Sequence, residues 1–505
     1  MILSIVLIIT GIIIRLDVKN RPIQFDESSY SYTALNILYN GEKYLDRLDN
    51  KPIGTFYLYI IFVKIFGNHY YTFHLVSALS DIIIILLAFL IGLKIYNLRL
   101  AILSAAIYSI MFVPFSTSYS GFIEPPMMVF TLLSIYFYFS ALSYNGSSKY
   151  ILLVIAGICS AISFHIKQPG ILILFSYIIH QPLLSFYKLI PIQTSIKNIV
   201  SLISGFLIIT LPLYVYFIVN DIFFKYIYAI FFYSLGYESL LPKTIWFLTH
   251  LFFTIPFLLI LSCTSIILFY KTRNIFLSFL YINFIIVMVF FSLTTDFQSH
   301  YLIQVILIMI FLSVNLLFNL KTLSFKQTLA VILILLMLFS YNLLYTIGDV
   351  IINDPNTIDE TNGDTDKRLR IFGPFKLSDG YHDVNLIHNL GFQMRLRDYL
   401  SKRLNQSDKI ISTFLGFNYL LNKSNNYKIH YFTPMFIDKF NVSDFPNYAS
   451  ESKFLIYLNY QEDREYISKN FIDCINEVWK FIPEISNWHV KVYENTNPIL
   501  CRNIW

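Results

Sequence analysis

Residues 72–95 read TFHLVSALSDIIIILLAFLIGLKI. A helix rises about 1.5 Å per residue, so this stretch reaches across the ~30 Å hydrocarbon core of a bilayer. It carries one acid, Asp81, within its length and Lys94 near its end. Working outward, similar apolar runs fall at about 1–15, 100–117, 125–143, 150–165, 169–186, 198–219, 245–270, 275–293, 301–319 and 327–348. Eleven spans are therefore expected. The composition agrees: 56% of the 505 residues are hydrophobic and only 13% are charged. A soluble chain of this length does not need that much apolar surface. The 48 Phe and 38 Tyr suit lipid-facing and interfacial packing.

Residues 54–66, GTFYLYIIFVKIF, are apolar but short for a span. They are expected to form a re-entrant or juxtamembrane helix along the interface. The opening MILSIVLIITGIII has no basic residues before its apolar core and no small-residue cleavage site, so it reads as a retained first span. After about residue 349 the chain turns polar, beginning NDPNTIDETNGDTDKR at Asn353. Short apolar runs such as KFLIYLNY and WHVKVYEN then alternate with helical patches. The expected architecture is a polytopic α-helical membrane protein with about 11 transmembrane helices and a first external loop at 16–71. The membrane domain would occupy 1–348 and a small soluble α/β domain 349–505.

Charge position orients the chain. Alternate loops hold Lys94, Arg99, Lys149, Lys188, Lys197, Lys271, Arg273, Lys321 and Lys326 and no acid, which places them in the cytoplasm. The opposite side collects Asp26, Glu27, Glu42, Asp46, Asp49, Glu124, Asp221, Glu238 and Asp296. Arg15, Lys19 and Arg21 dissent locally, and the summed bias outweighs them. On this count the C-terminal domain is external too. A net charge of +6 without a Lys/Arg cluster excludes a nucleic-acid partner. Cys159 and Cys263 fall in apolar runs as small hydrophobes. Cys474 and Cys501 lie in the polar tail, where pairing is left open.

The external side gathers the chemistry. Asp26 and Glu27 open FDESSYSYTALNILYNG, where Asp26 also suits a helix N-cap and Asn40-Gly41 a helix stop. Tyr30 follows one turn later, and Lys51-Pro52 closes the loop. Adjacent carboxylates at a low-dielectric boundary call for a cation, a proton or a metal, and one of them can serve as a general base. Glu124, in SYSGFIEPPMMVF, suits both a helix entry ahead of two prolines and a functional acid. Lys167, in SFHIKQPGILI, runs against the positive-inside trend; snorkelling and phosphate binding are the two readings. Beside it, His165 reads equally as a buried hydrogen-bonding residue. TTDFQSHYLIQ places Asp296, His300 and Tyr301 at the entry to the tenth span. Lysines that neutralise a phosphate, together with carboxylates that deprotonate an acceptor, suit displacement of a lipid phosphate at the membrane surface.

The pattern Asp26-Glu27-x-x-Tyr30, then Gly41, then Lys51-Pro52 before FYLYIIFVKIFG, resembles the first external loop of the C-type multi-spanning glycosyltransferases. The resemblance is to the protein O-mannosyltransferase and lipid A aminoarabinose transferase superfamily. SFHIKQPG and SHYLIQ resemble its later loops, and the likeness covers most of residues 1–348. It implies transfer of a sugar from a polyprenyl-phosphate carrier to an acceptor outside the cytoplasm, with inversion at the anomeric carbon. It implies Asp26 as catalytic base, Glu27 as its support or as a metal holder, and Lys51 and Lys167 on the carrier phosphate. Glu124 would stand for the second-loop acid, with His300 and Tyr301 at the donor site. Lys51-Pro52-Ile53 replaces the commoner Lys-Pro-Pro, and Glu124 a shorter acid. The implied partners are the lipid-linked donor, the bilayer and a glycan, lipid or protein acceptor. The implied location is the plasma membrane of a prokaryote. No cofactor is assigned, and a divalent metal stays open. A transporter or flippase, or an oligosaccharide ligase or polymerase, are the alternatives. A transporter would place its ionisable groups at mid-membrane rather than at one rim.

Overall fold

A computed structural model describes residues 2–18, 25–39, 51–69, 71–111, 114, 117–118, 121–144, 146–232, 258–265, 274–293 and 299–319, and in the C-terminal part 399–400, 402–403, 409–412, 452–458, 479–481 and 490–495. The chain divides into two compact units. The first holds Met1–Val18, Tyr44–Phe62 and His74–Ile347; the second holds Lys19–Lys43, Val63–Phe73 and Gly348–Trp505.

Helices dominate the first unit. Six helices in the described residues are long and apolar enough to cross a membrane. They include α4 (Thr72–Ile95), α6 (Glu124–Leu142), α7 (Ser147–Ile166), α9 (Ile192–Val219) and α10 (Ile275–Leu293). The sixth is α8 (Leu172–Phe186), continuous with a 3-10 turn at Gln168–Ile171. Shorter apolar helices are α1 (Ile2–Arg15), α3 (Ile53–Phe66), α5 (Leu98–Ile110) and α11 (Ile303–Asn319). Of the remaining expected spans, 245–270 is described only at 258–265 and 327–348 lies outside the described residues. On the helix at 258–265 Cys263 is exposed, whereas Cys159 on α7 is buried as a small hydrophobe would be.

The helix ends follow from local chemistry. The Asn97 side chain caps α5 by accepting from the Leu100 N–H at 3.2 Å. The same helix stops at Met111, whose ψ of 135° is extended. The expected run to residue 117 is therefore interrupted at Met111, although Pro114, Thr117 and Ser118 are again helical. Pro125 and Pro126 open α6 where missing N–H groups cost nothing. Short connections make α6, α7 and α8 successively antiparallel, so the start of α6, the end of α7 and the start of α8 share one end of the bundle, and the contact of Lys167 with Tyr301 puts the turn before α11 there too.

Close helix contact needs small residues. A Cβ on Gly157 of α7 would stand 2.1 Å from the Leu202 carbonyl oxygen of α9, and one on Gly205 of α9 would stand 2.0 Å from that of Val154. Both helices therefore cross with backbones touching, as small residues permit in membrane helices. Elsewhere in this unit, Arg15 at the end of α1 pairs with Asp81 of α4, and all of it is buried. Tyr108 of α5 donates to Asp81 at 2.5 Å, and Arg15 Nη1 donates to the carbonyls of Gly11 at 2.9 Å and Ser109 at 2.7 Å. The intramembrane acid singled out by the sequence is thus a paired structural group tying three helices.

The second unit contains α2 (Phe25–Tyr39), the helix expected after the first span. It begins at Phe25, so Asp26 sits in its first turn rather than at the N-cap; Asn40 and Gly41 lie outside the described residues. The unit also holds a four-stranded sheet of β1 (Lys409–Ser412), β2 (Ser452–Leu458), β3 (Trp479–Phe481) and β4 (Val490–Asn495) in the order β1-β2-β4-β3. β1 and β2 run parallel, with Ile411 opposite Leu455, and β4 is antiparallel to both β2 and β3. Parallel pairing of β1 with β2 requires a crossover. Its course lies outside the described residues, as do Cys474 and Cys501.

Candidate functional site

The site forms where three chain segments meet at one end of the first unit. Lys167 follows the last residue of α7 in extended conformation, with φ −151° and ψ 140°. Its N–H still donates to the Ser163 carbonyl at 3.0 Å, and the helix goes no further because Pro169 turns the chain into the 3-10 segment. Gly170 completes that turn: a Cβ there would meet the Ser163 carbonyl carbon at 2.4 Å. The lysine side chain is consequently held inside the bundle end, 5% exposed.

Glu124 and Tyr301 flank its ammonium. Glu124, 1% exposed at the first residue of α6, forms an ion pair with Lys167 Nζ. The Tyr301 ring lies beneath it, with Nζ 4.2 Å from the ring centroid, a cation–π distance. Tyr301 is in turn stacked on Phe291 of α10 at 5.8 Å and an interplanar angle of 5°. Lys167 therefore does not snorkel into water; it is compensated internally. His165, two residues before it, is a buried hydrogen-bonding residue, with Nε2 3.1 Å from the Thr210 hydroxyl of α9.

The start of α3 is clamped against the same end. Thr55 donates to the Ile166 carbonyl at 2.6 Å, and Tyr59 donates to the Gly121 carbonyl. Gly54 lets the backbones touch, since a Cβ there would stand 2.4 Å from His165 O. Ser77 of α4 secures the neighbouring Phe122 carbonyl at 2.6 Å. Lys51, half-buried, precedes this helix by two residues, so the contact between Gly54 and His165 brings the Lys51-Pro52 corner and the Lys167 turn to one place. Sequence reasoning missed these clamps. The Gly54-Thr55 pair directly after Lys51-Pro52 was the available signal.

Asp26, Glu27 and Tyr30 lie in the second unit, on α2. Tyr30 is four residues from Asp26 and three from Glu27, so it shares its helix face with both. Glu27 and Tyr30 are buried, and the Asp26 side chain is outside the described residues. His300 belongs to the 3-10 turn Ser299–Leu302 that leads into α11, and its side chain is likewise undescribed. Asp296 falls outside the described residues. Among the described residues no three His, Cys, Asp or Glu groups converge to hold a metal ion. Chemically, the described cluster is a buried, compensated cation with a second lysine at its edge, an arrangement that can receive an anionic group if the carboxylate yields.

Comparison with known proteins places this arrangement in context. The family model for dolichyl-phosphate-mannose-protein mannosyltransferase matches residues 50–216, which include Lys51, Glu124 and Lys167. No curated protein sequence matches the chain significantly. Among solved structures, the chain is similar to ArnT from Cupriavidus metallidurans bound to undecaprenyl phosphate, with a TM-score of 0.64 at 12% identity, covering 97% of each chain. It is also similar to the archaeal oligosaccharyltransferase AglB from Archaeoglobus fulgidus in complex with an inhibitory peptide and a dolichol-phosphate. That match has a TM-score of 0.50 at 12% identity and covers 98% of this chain and 74% of the other. The resemblance to C-type multi-spanning glycosyltransferases, read from the sequence, is borne out by the family match and by the shared fold.

Proposed function

We propose that the chain is a membrane glycosyltransferase that moves a sugar from a polyprenyl-phosphate donor to an acceptor on the extracytoplasmic face of a prokaryotic plasma membrane. The observation that carries this reading is the buried Lys167, held between Glu124 and the Tyr301 ring beside the Lys51 corner. A buried ammonium with a neighbouring lysine suits a phosphate better than a neutral ligand. Support comes from ArnT and AglB, whose structures hold undecaprenyl phosphate and a dolichol-phosphate, both polyprenyl phosphates on the same fold. The intramembrane Asp81, which would favour a transporter, is already paired with Arg15 and Tyr108.

In the proposed reaction the acceptor oxygen attacks the anomeric carbon and the bond from that carbon to the phosphate oxygen breaks. Asp26 takes the acceptor proton as general base. The electron pair of the broken bond stays with the carrier, which leaves as a phosphate monoester; Lys51 and Lys167 offset the charge that develops there. Glu27 and Tyr30 orient Asp26, and His300 and Tyr301 line the donor site. Attack opposite the leaving group inverts the anomeric centre. No step is assigned to a metal.

The test is label transfer by the purified, reconstituted protein from a set of radiolabelled undecaprenyl-phosphate sugars to envelope acceptors. Asp26→Asn is expected to abolish transfer while leaving the protein inserted and folded. Near-normal turnover in that variant removes Asp26 from the reaction, and sugar flux across the vesicle without transfer supports the transporter instead.

A further inference from the structure

Lys167 is a buried cation at this end of the first unit, yet it already has a counter-ion. Glu124 pairs with it, and both are sealed from solvent at 5% and 1% exposure. An incoming phosphate cannot simply add to this pair, because two anions around one buried ammonium repel each other strongly in a low dielectric. One anion must yield. Glu124 is the less mobile of the two ion-pair partners: it is the first residue of α6, and Pro125 and Pro126 fix the backbone immediately after it. Lysine has a long flexible stem, and the Tyr301 face 4.2 Å away offers its ammonium a second resting place.

Resting on the glycosyltransferase reading above, we propose that Glu124 is a resident counter-ion exchanged against the carrier phosphate. Lys167 swings from Glu124 to the phosphate when the donor binds and returns to Glu124 when the spent carrier leaves, sliding over the Tyr301 ring. The donor phosphate is a diester with one negative charge. After transfer it is a monoester with up to two, so the departing carrier is the species that Glu124 opposes most. The carboxylate thereby limits the affinity of the site for its own product. Glu124 is a positioning residue that acts through Lys167.

The experiment measures binding of farnesyl phosphate, a short probe for the spent carrier, to the full-length protein in nanodiscs. Removing the competing charge in Glu124→Gln is expected to lower its Kd by at least about tenfold, equivalent to ~1.4 kcal/mol. Removing the cation in Lys167→Met is expected to raise the Kd by a similar factor. Farnesol, without phosphate, is expected to show neither change. Damage to the fold would weaken binding in both variants, so the opposite signs separate exchange from a structural role. Should Glu124→Gln fail to insert, Glu124→Asp keeps the charge at shorter reach and is expected to tighten binding by a few-fold. A Glu124 variant that inserts and binds no more tightly than wild type overturns the exchange, while the donor reading stands if Lys167→Met still weakens binding. If wild type and every variant fail to bind farnesyl phosphate, the donor reading falls with it.

Discussion

Gly205→Ala tests whether the site depends on the close crossing of α7 and α9. The added Cβ would stand 2.0 Å from the Val154 carbonyl oxygen and 3.0 Å from Val154 Cα, and both contacts are backbone. Carbon and carbonyl oxygen approach no closer than roughly 3.3 Å in ordinary packing. The two helices must therefore separate by about 1 Å or tilt by an equivalent amount, and no flexible side chain can yield in their place. Overpacking of this kind costs about 1–3 kcal/mol. The displacement matters further along α7, because Lys167 lies ten residues beyond Gly157, roughly 15 Å down the axis. The bond between His165 and Thr210, already 3.1 Å long, joins the same helices near that end and would not survive a 1 Å separation. A misplacement of that size at a reacting centre costs up to about 10²-fold in rate. The measurements are thermal unfolding of the purified protein in one detergent and transfer rate after reconstitution. Gly146→Ala serves as the control: its φ of 77° makes the substitution strained, yet a Cβ there meets nothing within 4 Å. It is expected to lose stability without losing rate per folded molecule. If Gly205→Ala matches wild type in both measurements, the helices are not in contact at this crossing and the argument fails.

Two further substitutions probe the buried charges. Asp81→Asn leaves the Arg15 guanidinium buried without its carboxylate and is expected to cost about 3–5 kcal/mol, read as a fall in detergent unfolding temperature. The double variant Arg15→Met with Asp81→Leu is expected to recover most of that loss, and recovery of none would mean the pair does not act as a unit. Tyr301→Phe keeps the ring face under Lys167 and is expected to bind farnesyl phosphate as wild type does. Tyr301→Leu removes the face, with an expected loss of about 0.5–2 kcal/mol, or roughly 2- to 30-fold in Kd; equal affinities in the two variants would show that the ring contributes only bulk.

The helices were legible wherever the apolar run and the helix share the same limits. The span expected at 72–95 is α4, and 275–293 is α10, because in hydrocarbon every backbone group must bond within its own segment and hydropathy alone marks such a segment. The ends of α5 and α9 departed from hydropathy for local reasons. The run expected to reach 117 is broken at Met111, where the backbone turns extended. At the other extreme α9 starts at Ile192, earlier than the expected 198, because Pro191 suits the residue ahead of a helix and the polar Gln193 to Asn198 continue it. Asp81 inside a span was visible in the sequence, but its partner was not. Arg15 stood out only as a dissent from the positive-inside count, and burial with Asp81 explains that dissent: a lysine or arginine neutralised inside the bundle is no longer a topological signal.

That Glu124 and Lys167 lie level with one another could have been inferred from the hairpin alone. α6 and α7 are joined by a connection of only four residues, 143–146, so positions equally distant from that turn lie level across the pair. Glu124 is nineteen residues before the connection and Lys167 twenty-one after it, hence one acid and one base at the same height at the hairpin's open end. Level placement does not ensure contact, since the helices could present other faces. It is Gly170 against Ser163 and Pro169 after Lys167 that turn the lysine inward. Tyr301 lay beyond such reasoning, because no short connection joins α11 to α7 and its position depends on the packing of the bundle. The same asymmetry bears on chemistry: a hairpin can set two charges level, but a third element must supply the surface over which one of them moves. That surface is the Tyr301 ring, braced by Phe291.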